Sequence, residues 1–321
     1  VEIQRDSKVG KLTVFKFMHL ADLHLGYKQY GLPERAQDLA RAFQDAAAFA
    51  LEKEVQFVLL AGDVFHKHSL DPATLLAAVE SLRPLKDAGV PVIAVAGNHD
   101  RAWRGEGHSW LSVLHHLGYL THLDVRLEKG GLHLNPPDSP APSYVDIGEA
   151  RIVGVPYLGA ALPRIMDQLG KAIASLDRKY TILLTHAGLE GEMPGFSVPL
   201  RHEHLSPLRP WVDYVALGHL HKPFDRDNWI YNPGALEALA ADEVKFKGGW
   251  YLVEVSETGP ATWPCEAQHT HAKRRHFRRL EIDVGFYPSP QTLEQAVEAL
   301  AEDNMDLKGK HALIELTLKG R

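Results

Sequence analysis

Apolar residues recur along this chain in short runs, and each run ends on a cluster of polar, chemistry-bearing residues. Thr13 to His19 alternates apolar and polar residues, which predicts a strand emptying into Leu20-Ala-Asp22-Leu-His24-Leu-Gly26. Val55 to Ala61 is a continuous apolar run, the pattern of a strand buried on both faces, and Gly62-Asp63-Val-Phe-His66 follows it. Val90 to Ala96 repeats that pattern and delivers Gly97-Asn98-His99-Asp100. Between the runs the period lengthens. Ala36, Leu39, Ala40, Phe43, Ala46, Ala47 and Ala50 mark an amphipathic helix over Glu34 to Lys53. Asp71-Pro72 supplies an N-cap and a first-turn proline for a second helix carrying Leu75, Leu76, Val79 and Leu82. Successive strand-helix-strand units predict a parallel sheet with helices on its faces and right-handed crossovers.

Further along, a helix is predicted near His108 to Leu117 and an exposed loop over the proline-rich Asn135 to Pro142. Strands at Tyr144 to Ile147 and Arg151 to Val155, turned by Gly148-Glu149, begin a second sheet layer. A helix over Ala161 to Leu176 precedes the strand Tyr180 to Thr185, which leads into His186. After an irregular stretch, 187 to 206, the run Val212 to Leu217 leads into Gly218-His219-Leu-His221. Trp229 to Tyr231 and Trp250 to Val255 read as strands. The basic run Lys273 to Arg279 reads as a solvated linker before a strand, a helix at Gln291 to Ala301 and a strand at Ala312 to Leu318. This divides the chain into an N-terminal extension (1–12), a main domain (13–272) and the start of a small α+β domain (273–321). The sequence stops just after a strand, which predicts that the small domain is truncated.

With 321 residues, 45% of them apolar, the chain can fill a large core, and disorder is excluded. No apolar run approaches the ~20 residues of a membrane span, and the polar start lacks a signal-peptide core. A single cysteine, Cys265, forms no internal disulfide and leaves no thiolate cluster for zinc. Cytoplasmic, nucleoid-associated placement is the expectation. The formal charge of −6 includes aspartates that bound cations would offset, so it decides little about nucleic acid.

Gly97-Asn98-His99-Asp100 alone is compatible with an ordinary loop. Its recurrence in kind at four other strand ends is not, because the strand ends of an α/β sheet converge on one edge. Together they offer Asp22, His24, Asp63, Asn98, His186, His219 and His221, an oxygen and imidazole set without sulfur. That number suits two divalent cations sharing a carboxylate. Imidazole disfavours magnesium and the lack of thiolate disfavours soft metals, which leaves manganese, iron or zinc. Asp100 can orient a neighbouring ligand, and His99 can move a proton near neutral pH. His202-x-His204, and Cys265 with His269 and His271, have ligand-like spacings but no strand launching them.

The motifs Asp22-Leu-His24-Leu-Gly26, Gly62-Asp63-Val-Phe-His66, Gly97-Asn-His-Asp-Arg101 and Pro233-Gly-Ala-Leu-Glu237 resemble the calcineurin-like metallophosphoesterases, and within them the SbcD-type DNA double-strand-break repair nucleases. The resemblance implies a layered α/β/β/α sandwich with a small C-terminal capping domain. It assigns Asp22, His24 and His221 to one metal and Asn98, His186 and His219 to a second, with Asp63 as the bridge. It makes His99 the catalytic histidine and links His66 to exonuclease action, with manganese the preferred ion. The implied activity is exonucleolytic on duplex DNA and endonucleolytic on single strands, with an SbcC-type ABC ATPase as partner. Aromatic and basic residues beside the motifs, Tyr27, Lys28, Tyr30, Arg35, Arg101 and Arg104, are candidate contacts to DNA backbone. A homodimer is expected through the second and third helices, where Leu75, Leu76, Val79, Leu82, Trp110, Leu111 and Leu114 offer apolar surface. The competing readings are a small-molecule phosphodiesterase or nucleotidase, and a DNA-end-binding scaffold with a silent metal site.

Overall fold

The structure, a computed structural model, describes residues 13–102, 107–128, 131–193, 200–257, 264–303 and 312–320. The expected N-terminal extension therefore lies outside the described residues. In chain order the elements begin β1 (Thr13–Leu20), α1 (Pro33–Glu52), β2 (Phe57–Ala61), α2 (Pro72–Asp87), β3 (Val92–Val95), α3 (Trp110–His116) and β4 (Thr121–Leu123). A small hairpin, β5 (Arg126–Glu128) and β6 (Gly131–His133), precedes β7 (Tyr144–Ile147), β8 (Ala150–Val155), α4 (Leu162–Ala174) and β9 (Tyr180–Thr185). There follow α5 (His202–Leu205), β10 (Tyr214–Ala216), β11 (Phe224–Arg226), β12 (Ile230–Asn232), β13 (Gly249–Ser256) and β14 (Cys265–His271). The chain ends with β15 (Phe277–Asp283), α6 (Pro290–Asp303) and β16 (Leu313–Lys319).

Two six-stranded sheets pack face to face, in the orders β14-β13-β1-β2-β3-β4 and β11-β12-β10-β9-β8-β7. Strands β1 to β4 run parallel, as the alternation with helices requires, while β13 and β14 close the edge antiparallel. In β1 the pleat sends Phe15 and Phe17 into the layer between the sheets and Met18 and Leu20 toward the helices. The inter-sheet layer also takes Phe57, Leu59, Ile93, Ile182, Leu184 and Tyr214, and the outer faces are covered by α1, α2 and α3 on one side and α4 on the other. This is the four-layer α/β/β/α sandwich. Asp71 caps α2 as expected, its carboxylate accepting the Thr74 N–H at 2.8 Å. The irregular stretch after His186 contains the single turn α5. Strands β4, β11 and β14 and the β5–β6 hairpin were not anticipated; they are short or carry polar residues on both faces, so period-2 alternation of apolar residues is absent or weak.

The apolar residues expected to protrude from α2 and α3 are mostly committed to this chain's own core, which corrects the basis for a dimer. Leu82, Leu111 and Leu114 are fully buried, Leu75, Val79 and Trp110 pack partly against the core, and Leu76 alone of the set is exposed. Amphipathic spacing identifies an apolar face but not how much of it the sheet covers.

His19 at the end of β1 is sealed between the sheets. Its Nε2–H donates to the Leu217 carbonyl at 2.9 Å, so Nδ1, 3.1 Å from the Tyr214 hydroxyl, is the acceptor. Burial, with smaller effects from Leu217 and His269, lowers its pKa to about 3. The folded value lies below the unfolded one, so the stabilisation is fully present above about pH 6.5 and is lost as pH falls toward the folded value. In the metal-free protein, His19→Phe is expected to cost about 2–4 kcal/mol at pH 8, because the hydroxyl and carbonyl lose their partner. It is also expected to flatten the acid side of the stability curve by about one proton, roughly 1.4 kcal/mol per pH unit. Urea titrations at stepped pH measure both.

Candidate metal centre

Five strand ends meet at one edge of the sandwich: those of β1, β2 and β3 from the first sheet and of β9 and β10 from the second. The loops that follow β1 and β2 are laced together, with Asp22 N–H donating to Gly62 O (3.1 Å) and His24 N–H to Asp63 O (2.9 Å). Asp22, His24, Asp63 and His219 all have left-handed backbone, at φ 54°, 46°, 50° and 81°. Each such non-glycine residue costs on the order of 1–2 kcal/mol, and their concentration at one site marks a constellation maintained against local preference. Neighbouring glycines give the ligands room. A Cβ on Gly97 would lie 2.0 Å from Asp63 Oδ1, and one on Gly218 would lie 2.2 Å from the Ala61 carbonyl.

The side chains converge on Asp63. Its Oδ2 lies 3.6 Å from His24 Nε2 and 3.3 Å from His186 Nε2, while Oδ1 accepts the His99 N–H at 2.9 Å. One carboxylate oxygen therefore faces two imidazoles. Potential ligand atoms of Asp22, His24 and His221 lie within 4.8 Å of one another, as do those of Asp22, Asp63 and His186. His186 Nδ1 donates to Ala61 O at 2.7 Å, which turns Nε2 inward to within 3.2 Å of Asn98 Oδ1. The His219 ring stands 5.1 Å from the His186 ring, and the backbone N–H of His219 donates to the Asp22 carboxylate at 3.0 Å. Asp100, fully buried, accepts N–H groups from Phe65, Gly97 and Val64 (2.9, 2.9 and 3.2 Å), so it ties the β2 and β3 loops together.

Electrostatics in the absence of cations are those of a crowded cage. Burial raises Asp22 to about 6, a rise eased by His186 and His221. Burial also pushes Asp63 upward, but His186 and His24 outweigh it and hold the carboxyl well below the usual range. Burial lowers His24 strongly, and lowers His219 to about 4 with His186 contributing. For His186 the Asp63 charge overrides the burial penalty and lifts the pKa to about 9. A cage of carboxylate, amide and imidazole donors without sulfur suits divalent ions of intermediate hardness. His24 Nε2 is buried without a hydrogen-bond partner, as a nitrogen reserved for a ligand would be. The residues present thus fit divalent cations.

His66 and His99 stand at the mouth. His99 Nδ1 donates to the His66 carbonyl at 2.7 Å, which leaves Nε2 4.0 Å from Asp63 Oδ2. His66 lies against the cage: its Nδ1 is 3.2 Å from His24 Nδ1, and His24, His66 and His99 form a further group of convergent donors. The Tyr27 ring stacks on it at 3.9 Å. Glu243 was missed. Its Oε1 accepts from His221 Nδ1 at 2.8 Å and its Oε2 accepts the Leu239 N–H, which orients His221 and raises its basicity. No motif marks it, since the contact joins a turn to a ligand 22 positions earlier.

Arg35 is corrected as a DNA contact. It is 1% exposed and bound to Gln29, Asp38, Glu237 and the Ala238 carbonyl. Tyr30 and Lys28 are exposed, with Lys28 paired to Asp71, and Arg101 reaches the Tyr157 carbonyl. Arg104 lies outside the described residues. The linker reading of Lys273 to Arg279 is corrected in part: Arg274 donates to the Ala235, Leu236 and Phe246 carbonyls, and Arg275 pairs with Asp38. His202 is paired with Asp227, and His269 and His271 reach the Pro233 and Lys247 carbonyls, so these histidines serve local structure.

A family model described as calcineurin-like phosphoesterase matches residues 15–223, which spans every strand end of the cage. The DNA double-strand break repair protein Mre11 of Aeropyrum pernix is 31% identical over 284 residues, 84% of this chain and 64% of that protein. The protein of the same name from Archaeoglobus fulgidus is 34% identical over 233 residues, 69% of this chain and 50% of that one. That of Haloferax volcanii is 27% identical over 316 residues, 95% of this chain and 62% of that one. This chain thus spans about half to two-thirds of the length of these relatives. Fold, ligand cage and family match agree: the chain belongs to the calcineurin-like phosphoesterase family.

Proposed function

We propose that this chain is a two-metal DNA nuclease of the Mre11 and SbcD kind. It degrades duplex ends exonucleolytically and cuts single strands endonucleolytically, in the cytoplasm at the nucleoid, with an SbcC-type ABC ATPase as partner. The observation that carries the reading is the Asp63 carboxylate, with one oxygen 3.6 Å from His24 and 3.3 Å from His186 at the centre of a sulfur-free cage. The names of the relatives support DNA as the substrate. Asp22, His24 and His221 would hold one cation, Asn98, His186 and His219 the other, and Asp63 both; manganese suits these donors, with iron or zinc as alternatives. When bound, such a pair supplies Lewis acidity toward the phosphate and a more acidic water. The protein's part is to hold the diester in line and to move the proton. His99, its Nδ1 fixed on the His66 carbonyl, presents Nε2 to the leaving oxygen and donates a proton as the phosphorus–oxygen bond breaks. Tyr27, Lys28, Tyr30 and Arg101 flank the mouth as backbone contacts.

The test is metal analysis together with an assay on end-labelled duplex and on single strands. Metal-dependent shortening of the duplex is the expected result; no turnover with any of the three metals would leave only a scaffold. Long single-stranded DNA is expected to compete with a chromogenic diester, which a small-molecule phosphodiesterase would not allow. In the same assays His66→Ala is expected to lower duplex-end degradation more than single-strand cleavage, since an end must be bent into the site. Because His66 touches His24, metal content is measured alongside. Equal losses would make His66 a support for His24 and nothing more.

The segment from 273 onward is proposed to belong to a capping domain, and its strands β15 and β16 pair parallel with each other. A homodimer through α2 and α3 is proposed on the narrower basis of Leu76 with the half-buried Leu75, Val79 and Trp110. A monomeric mass at micromolar concentration would refute it. Among the described residues no helix is long and apolar enough to cross a membrane.

A further inference from the structure

Beside the cage, a cavity of about 540 Å³ opens between α3, the end of β4, the loop at Pro140-Ala141 and the Pro156-Tyr157-Leu158 segment after β8. Its volume falls within the ~300–1,000 Å³ range of small-molecule sites. Tyr157 is the shared wall. Its ring stands 5.4 Å from the ring of His219 and 5.9 Å from that of His186, its N–H is fixed on the Ala96 carbonyl, and the Arg101 guanidinium lies 5.1 Å above its face. A phosphodiester held in the cage therefore has this cavity within reach of one of its substituents.

The lining is selective. Ala141, Pro156 and Leu158 are apolar, while Ser112, His122 and Asp124 are polar. His122 Nε2 is buried without a hydrogen-bond partner, although its ring takes no part in the cage. The imidazoles lining the cavity belong to none of the convergent donor groups among the described residues, so they do not form a second metal site. A mixed wall of apolar surface, an aromatic face and hydrogen-bonding side chains, with Arg101 and Asp124 among them, suits a planar heterocycle carrying a sugar. We propose that this cavity takes one nucleoside unit of the substrate, next to the phosphate under attack, stacked at Tyr157 and read by the His122 edge. The inference rests on the phosphodiesterase reading above and names the part of the substrate that is recognised.

Two chromogenic diesters that differ in one substituent test it: thymidine p-nitrophenyl phosphate and methyl p-nitrophenyl phosphate. With the manganese-loaded native protein, KM for the thymidine ester is expected to be about tenfold lower, the equivalent of one good stacking or hydrogen-bonding contact. Ala141→Trp, which plugs the cavity, and His122→Phe, which removes the polar edge at nearly constant shape, are expected to bring the ratio of the two KM values close to one. Unfolding temperature and metal content show that both variants remain folded and loaded. Equal KM values in the native protein, or a ratio that both variants leave unchanged, would overturn the proposal. No turnover of either ester would instead count against the metal reading. In that event calorimetric titration of thymidine into the metal-free protein decides the cavity: binding that Ala141→Trp abolishes sustains it, and no binding overturns it.

Discussion

Asp63→Ala is expected to empty both cation positions together and to reduce hydrolysis of every phosphodiester to background. One oxygen of this carboxylate faces an imidazole of each proposed ligand set, His24 at 3.6 Å and His186 at 3.3 Å. Without it, one position keeps Asp22 with two imidazoles and the other keeps only Asn98 and two imidazoles, and the repulsion between two divalent cations would lose a shared negative charge. Asn98→Ala is the contrast. Asn98 Oδ1 lies 3.2 Å from His186, a ligand of one proposed position, so its loss should empty mainly that position. The substitution at Asp63 also reaches the metal-free fold. The His99 N–H loses a buried acceptor and His186 loses the charge that lifts its pKa, a destabilisation of order 3 kcal/mol. Metal content per chain, measured on both variants, checks the argument. Full occupancy of both positions in Asp63→Ala would remove Asp63 as the bridge.

His99→Ala is expected to retain metal and to lose 10²–10⁴-fold in rate, the range for a general acid or a preorganised electrostatic group. The His99 side chain is more than a third exposed at the mouth, and its Nδ1 is occupied by the His66 carbonyl. Its freedom is thereby reduced to presenting Nε2, which needs no movement to meet a phosphate lying over Asp63. The two roles separate by leaving group. A p-nitrophenolate leaves without a proton, so a general acid matters less there than for the alkoxide of a DNA strand. A loss that is larger on DNA than on the chromogenic diester identifies proton transfer, and equal losses identify charge stabilisation. Loss of metal in this variant would instead return His99 to the cage, where its ring already stands 4.9 Å from that of His24.

The nucleoside cavity and the cage share Tyr157, so specificity and chemistry can be altered separately only on the far wall, at His122 and Ala141. The same division applies around His221. Glu243 orients its ring, and the Ala235 N–H donates to its carbonyl while the Ala235 carbonyl accepts from Arg274, the residue that leads out toward β15. The segment that precedes β15 is thus two contacts away from a candidate ligand.

Strand ends, helices and the candidate donors at the strand ends were legible in the sequence because each leaves a short-range signal. Continuous or alternating apolar runs give β1, β2, β3 and β9, glycines mark the turns after them, and the residues beyond those turns are few enough to be read as donors. That they converge followed from parallel pairing alone. Partnership did not follow. A basic residue in a helix looks the same whether it meets phosphate or, like Arg35, the carboxylates of Asp38 and a residue 202 positions away. Arg274, Glu243 and His19 were invisible for the same reason: each is defined by a contact across loops or between sheets, with no local periodicity to announce it. Coverage was equally hidden, since Leu82, Leu111 and Leu114 sit on faces whose burial depends on how closely α2 and α3 lie on the sheet. Sequence by itself determined which elements form and which donors they carry. Tertiary structure decided which charges neutralise one another, which apolar faces remain free, and the left-handed backbone at Asp22, His24, Asp63 and His219 that only the assembled loops can hold in place.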